Sequence, residues 1–237
     1  MEDNRILKLE VIFLALFVCF VYVLPQKASA YSDETTHPAL TQEIIAFYNT
    51  NYPTLAFKDS ESELIIAGSI EEDEGVRFMN HFYDPIYNRG LTIPGVGTWP
   101  SSKEWGTDTN IQKGWEQGTT KKYFTGEADF TWNRAVYEYA WGDKTRGLST
   151  LGHIIHLIED ATVPDHTRND PHPPVIDLGS PYEAWTKQFT RSSIKIEGLE
   201  GRTPIFKRSI KDYFDSVALF SSRNFFSKDT IFSVEYS

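Results

Sequence analysis

Apolar positions recur at helical spacing in several separate stretches of this chain. Leu40, Ile44, Ile45 and Tyr48 fall about one turn apart within Ala39 to Tyr48, and Pro38, just behind Thr36, suits a first helical turn. A second helix is predicted over Ser60 to Glu72, and further helices over roughly Glu127 to Trp141, Thr145 to Ala161, Tyr182 to Phe189 and Ile205 to about Phe220. Between them, residues 84–110 gather Pro85, Pro94, Pro100, Gly90, Gly95, Gly97 and Gly106, so a long irregular segment is expected there. Ordered segments of that length are often functional. Alternating runs of the β type are scarce, and no internal repeat or low-complexity tract interrupts the pattern. The expected class is all-α, a single compact multi-helix domain.

The amino-terminal stretch has a different pattern. Arg5 and Lys8 precede the apolar run Val11 to Leu24, and Ala28-Ser29-Ala30 supplies small residues where a signal peptidase cuts. Residues 1–30 are read as a secretory signal and 31–237 as the mature domain, secreted or periplasmic. The run is shorter than the ~20 residues of a spanning helix; an uncleaved anchor is the alternative. Cleavage removes Cys19, the only cysteine, so a mature chain forms neither a disulfide nor a thiolate metal site, and any metal must be held by nitrogen and oxygen. In residues 1–30 acidic and basic side chains balance, so the mature part keeps the formal charge of −10. That charge disfavours a nonspecific nucleic-acid binder, which needs a basic face, although bound divalent cations would reverse the local sign inside a nucleolytic site.

The most informative run is His153 to His166. His156 and Asp160 are spaced i,i+4, which puts both on one helical face, and Pro164 ends the helix so that the chain can turn and bring His166 back. The chain has six histidines, and His37, His81, His156, His166 and His172 all lie in segments that also carry Asp or Glu. A polynuclear metal site is the leading expectation.

Asn80-His81-Phe82-Tyr83-Asp84-Pro85 resembles the HFYDP-type motif of bacterial zinc-dependent phospholipases C, and His156-x3-Asp160-x5-His166 resembles the central metal motif of the same family. The single-strand-specific zinc nucleases share the second motif and the fold. The resemblance runs from about Tyr31 to Glu183. It implies two or three Zn2+ ions per chain, with the α-amine and carbonyl of a mature Tyr31 and the side chain of His37 as ligands; the family usually has Trp at that first position. Asp73 and His81 would hold another ion with His156 and Asp160, the acidic run Glu71-Glu72-Asp73-Glu74 leaving open which carboxylate reaches in, and Asp160 would bridge. The last ion would take His166, Glu183 and a further histidine. The family places that histidine four residues before the acid, where this chain has Gly179, so His172 would have to reach in from its loop.

The implied chemistry is hydrolysis of a phosphodiester. Zinc acidifies a bound water, and two metals about 3.5–4 Å apart can hold the attacking and leaving oxygens. Asp73 is expected as a ligand and as general base toward the attacking water. Asn80 and Asp84 are candidates to orient the imidazoles, with Asp84 as readily capping a turn before Pro85. His153 is read as a packed histidine or one that supports a ligand. Trp99, Trp105, Trp115, Tyr123 and Trp132 would line a lipid or base pocket or fill the core. The expected substrate is a phospholipid or another phosphodiester, with peripheral membrane contact, nucleic acid less favoured and no protein partner. The alternatives are a single-strand nuclease and a non-catalytic metal-stabilised binding module.

Overall fold

The structure, a computed structural model, describes residues 31–117, 129–172, 179–193 and 201–236. The expected leader and Tyr123 lie outside the described residues. Nine α-helices are present among the described residues. Helix α1 spans Thr36–Asn51, longer at both ends than its apolar pattern. Helix α2, Asp59–Glu71, opens with Asp59 and Glu61 in its first turn, where the helix dipole favours acids, and Glu61 accepts from the Lys58 amide at 3.0 Å.

The segment expected to be irregular is instead ordered in short pieces. A turn closed by Asp84 and Arg89 leads into an antiparallel hairpin of β1, Thr92–Ile93, and β2, Gly97–Thr98, with Thr92 opposite Thr98. Helix α3, Ser102–Trp105, follows, started by a reciprocal cap between Ser101 and Glu104, and then α4, Thr109–Gln117. Proline and glycine density signalled the breaks; the capping residues between them organise the short elements.

Caps also correct two boundaries. Helix α5 is Trp132–Trp141, starting after Thr131, whose hydroxyl accepts from the Arg134 amide. The expected helix from Ile205 begins later: Ser209 and Asp212 form a capping box, and α9 runs Ile210–Asn224. Helix α6, Lys144–Asp160, capped by Asp143, lies close to expectation; the single turn α7, Pro164–Thr167, is not among the expected helices, and α8, Pro181–Thr186, capped by Ser180, stops short of the expected Phe189.

The centre of the fold is the crossing of α2 and α6. A Cβ on Gly68 would stand 1.9 Å from the carbonyl oxygen of Ser149, and one on Gly152 would stand 2.0 Å from that of Ile65. The two backbones touch there, which only glycine permits. Around the crossing, Ile45, Ile65, Ile66 and Leu148 form one buried cluster. A second cluster, Tyr83, Trp105, Leu157, Ala161, Phe214 and Ala218, packs α9 and the 81–117 segment against the other end of α6. Trp105 is therefore core, with Trp115 beside it, ring centroids 5.8 Å apart. Among the described residues no helix is long and apolar enough to cross a membrane.

The crossing predicts opposite outcomes for two glycine substitutions. Gly152→Ala forces a methyl into backbone and should cost at least about 1–3 kcal/mol in a denaturant titration. Gly114→Ala, in α4 where an added Cβ meets nothing within 4 Å, should instead gain up to about 1 kcal/mol.

Candidate metal centre

The crossing decides where the ligands meet. His156 sits one turn beyond Gly152 on α6, and its Nδ1 donates to the carbonyl of Ser69, 2.6 Å away near the end of α2. That carbonyl is in the last turn of α2, where intrahelical donors run out. The bond fixes the tautomer, so the lone pair of Nε2 points into the cluster. Asp160, the last residue of α6, lies on the same face one turn further on.

Asp160 stands between two groups of ligands. Its Oδ1 is 3.2 Å from Nε2 of His37. Its Oδ2 is 2.8 Å from Nδ1 of His81 and 3.3 Å from Nε2 of His156. Asp73 faces the same space, 3.5 Å from Nδ1 of His81 and 3.7 Å from Nε2 of His156. Ligand atoms of His37, Asp73 and His156 lie within 4.8 Å of one another, and so do those of His81, His156 and Asp160. The His37 ring stacks on His156, centroids 3.6 Å apart.

A third group forms beside these. His166, His172 and Glu183 bring ligand atoms within 4.8 Å of one another, with Nε2 of His172 at 2.5 Å from Oε1 of Glu183. His172 does reach in from its loop. Gly179 has a φ of +75° just ahead of Ser180, the cap of α8, so a residue at 179 cannot share a helical face with Glu183. His166 also lies 3.8 Å from Oδ2 of Asp160, which places the third group next to the first two.

All of these side chains are buried; among the described residues both oxygens of Asp73 lack a hydrogen-bond partner, while the oxygens of Asp160 and Oε1 of Glu183 face only histidine nitrogens. Burying unpaired carboxylate oxygens is costly unless a cation meets them. The donor set is nitrogen and oxygen only, which fits a divalent ion such as zinc. These buried His, Asp and Glu groups could hold a metal ion.

Without an ion the cluster compensates its own charges. Burial works against charge on His37 and His81, but Asp160, with Glu159 for His37 and Glu72 for His81, outweighs it and pushes both up to about 10. Burial opposes charge on His172 too, yet Glu183 raises it to about 9, while burial takes His166 down to about 3. Desolvation raises Glu183 to about 7 and lifts Asp73 above its ordinary value; for Asp160 it acts upward too, but His156, His81 and His166 hold that carboxyl well below the usual range.

Several supporting groups escaped the sequence reading. Glu159 accepts from Nδ1 of His37 at 2.6 Å and is held in turn by the Thr41 hydroxyl at 2.9 Å. Glu72, in the acidic run Glu71 to Glu74, is wholly buried. It meets Nδ1 of His153 at 2.6 Å, the Arg77 guanidinium at 2.5 Å and Nε1 of Trp105 at 2.8 Å, and lies 3.6 Å from Nε2 of His81. His153 therefore bears on His81 through Glu72, and it stacks on Phe130. The i,i+3 placement of Glu159 against His156 was the available signal; for Glu72 the neighbouring acids masked it.

Two expected orienting groups do not play that part. Asp84 spends its carboxylate on the turn, accepting from the amides of Ile86 and Tyr87, from Arg89 and from the Tyr236 hydroxyl, because an aspartate before proline readily closes such a turn. Asn80 is buried beside His81, but among the described residues its side chain has no hydrogen-bond partner, so it orients none of their imidazoles that way. Tyr31 is buried edge-on to His37, with its hydroxyl 2.8 Å from that of Thr162 and 3.0 Å from that of Tyr182.

No protein-family model matches this chain and no characterised protein is significantly similar to it, so the functional reading rests on the residues themselves.

Two outcomes follow from this arrangement. Metals take imidazole in its neutral form, whereas His37, His81 and His172 hold protons at pH 7 in the metal-free protein, so binding must release protons and tighten as pH rises toward about 10. Calorimetry in buffers of different ionisation enthalpy measures the release. Glu159→Gln, which removes the charged partner of His37, should weaken metal binding by about 10–100-fold in a competition titration with a chelator.

Proposed function

We propose that this chain is a secreted, zinc-dependent phosphodiester hydrolase of the phospholipase C type, with an all-α fold of the kind shared by zinc phospholipases and zinc nucleases. The observation that carries this reading is the division of one carboxylate between two ligand groups: Asp160 turns Oδ1 toward His37 and Oδ2 toward His81 and His156. A carboxylate shared in this way suits adjacent ions, two or three per chain, rather than one isolated structural ion. The order of ligands along the chain supports the same reading, through the resemblance of Asn80 to Pro85 and of His156 to His166 to that family's motifs.

Zinc in such a site supplies Lewis acidity toward a phosphoryl oxygen and acidifies a water. The protein's own groups do the rest. The Ser69 carbonyl, Glu159 and the carbonyls of His81 and Asp170 hold the imidazoles of His156, His37, His166 and His172 in orientation, at 2.6, 2.6, 3.3 and 2.8 Å. Asp73 would accept a proton from the attacking water: among the described residues its oxygens have no hydrogen-bond partner, and burial raises its affinity for a proton. The Phe82 ring covers His166, centroids 4.2 Å apart, and walls that side with carbon. The formal charge of −10 favours a phospholipid over a nucleic acid as substrate.

Assays on phosphatidylcholine, single-stranded DNA and a chromogenic phosphodiester, paired with elemental analysis, test the proposal. Hydrolysis of the lipid and the chromogenic ester, with two or three zinc ions per chain, is expected. Activity on DNA alone would replace the phospholipase reading with a nuclease, and silence on all three substrates with zinc bound would favour a binding module. Asp160→Asn should cost more metal than His172→Ala and abolish turnover, because it removes the charge shared between sites; equal losses would contradict the bridging role.

A further inference from the structure

His172 is the ligand that no helix places. His156 and Asp160 stand on α6, His166 on the turn α7 and Glu183 on α8, but α7 ends at Thr167 and the chain reaches His172 without regular structure. The position of its imidazole therefore depends on what holds residues 167–171.

Arg168 does most of the holding. It is buried two residues past His166, and every bond its guanidinium makes to residues 222–236 crosses more than fifty positions of sequence. Its Nε donates to the Thr230 hydroxyl at 2.6 Å, Nη1 to the carbonyls of Ser222 at 2.6 Å and Phe225 at 3.3 Å, and Nη2 to the carbonyl of Tyr236 at 2.9 Å. Ser222 and Phe225 lie at the carboxy-terminal end of α9, where carbonyls run out of helical donors and the dipole favours a cation. A planar guanidinium serves these separate acceptors at once because its donors point in fixed directions, which an ammonium group cannot match.

The neighbours of Arg168 complete the brace. Asp170 accepts from the Asp229 amide at 2.9 Å through its carboxylate, and its own carbonyl accepts from Nδ1 of His172 at 2.8 Å. Nε2 of His172 is thereby left facing Glu183. Asn169, at a φ of +48°, pairs with β1 like a strand partner, accepting from the Thr92 amide at 2.7 Å and donating to its carbonyl at 3.0 Å.

We propose that Arg168 is a positioning residue for the third metal: it holds the segment Ser222 to Tyr236 against the backbone between His166 and His172, and so sets His172 toward Glu183. The inference rests on the zinc reading of the centre and deepens it. The first two ligand groups are built by the packing of α2 and α6, whereas the third is completed by hydrogen bonds to a segment that contributes no ligand to any group. Affinity for the third ion alone therefore answers to substitutions in that segment.

The test is a chelator-competition titration of zinc into the metal-free full chain, with the absorption of bound cobalt(II) as a second readout. His172→Ala identifies the third ion by its loss. Arg168→Lys should weaken that same ion on the order of tenfold and leave the others unchanged, and the cobalt absorption should change only in the component that His172→Ala removes. Thr230→Val, which deletes the acceptor of Arg168 Nε, should weaken the third ion in the same direction, while Thr230→Ser, which keeps the hydroxyl, should restore the parent affinity. The Thr230 pair decides the matter by itself if Arg168→Lys does not fold. A third ion held equally by parent, Arg168→Lys and Thr230→Val, all ions weakened alike, or a parent that binds no third ion would each overturn the proposal with the zinc reading intact. A parent that binds no zinc would overturn both.

Discussion

Everything in the candidate centre depends on how closely α2 and α6 approach each other. Gly68 and Gly152 let the two backbones touch, and only at that separation does the Ser69 carbonyl come within 2.6 Å of Nδ1 of His156. One hydrogen bond then does two jobs. It satisfies a carbonyl at the end of α2 that has run out of helical donors, and it turns the other imidazole nitrogen toward Asp73 and Asp160. The same approach sets Glu72, one residue past the end of α2, against His153 on α6. A wider crossing would leave His156 free to rotate and Glu72 without its partner.

The second constraint is electrostatic. Three histidine and carboxylate groups share one buried volume, and solvent cannot relieve their charges. Glu72 is neutralised by Arg77, itself buried between Trp105 and Phe130 with its guanidinium 5.0 Å from each ring centre. Asp73 and Asp160 have no such permanent partner and must borrow protons from histidine. A cluster that holds acids together only by protonating their neighbours is poised to exchange those protons for a cation. The link from packing to chemistry runs through this tension.

Much of the site was legible because helical spacing is a strong constraint. His156 and Asp160 could only share a face; α6 ends at Asp160, ahead of Pro164, which opens the turn α7 that brings His166 back. His172 was legible by exclusion, and the structure adds the reason: Gly179 adopts a left-handed conformation ahead of the Ser180 cap, which denies position 179 the helical register with Glu183. What sequence could not reveal depends on contacts distant in the chain. Glu72 sits among three other acids, and nothing local says that Arg77, Trp105 and His153 converge on it. Asp84 lies in the stretch Asn80 to Pro85, but its pairing with Arg89 and Tyr236 gives it to the turn. Helix starts at Trp132 and Ile210 were set by Thr131 and Ser209, cap signals that apolar periodicity overruns.

Anomalous diffraction at the zinc edge from crystals of zinc-loaded protein tests the central claim most directly. The account predicts two ions on either side of the Asp160 carboxylate, about 3.5–4 Å apart, one beside His37 and the other beside His81 and His156. A single ion held away from Asp160, or none in the cluster, would contradict it.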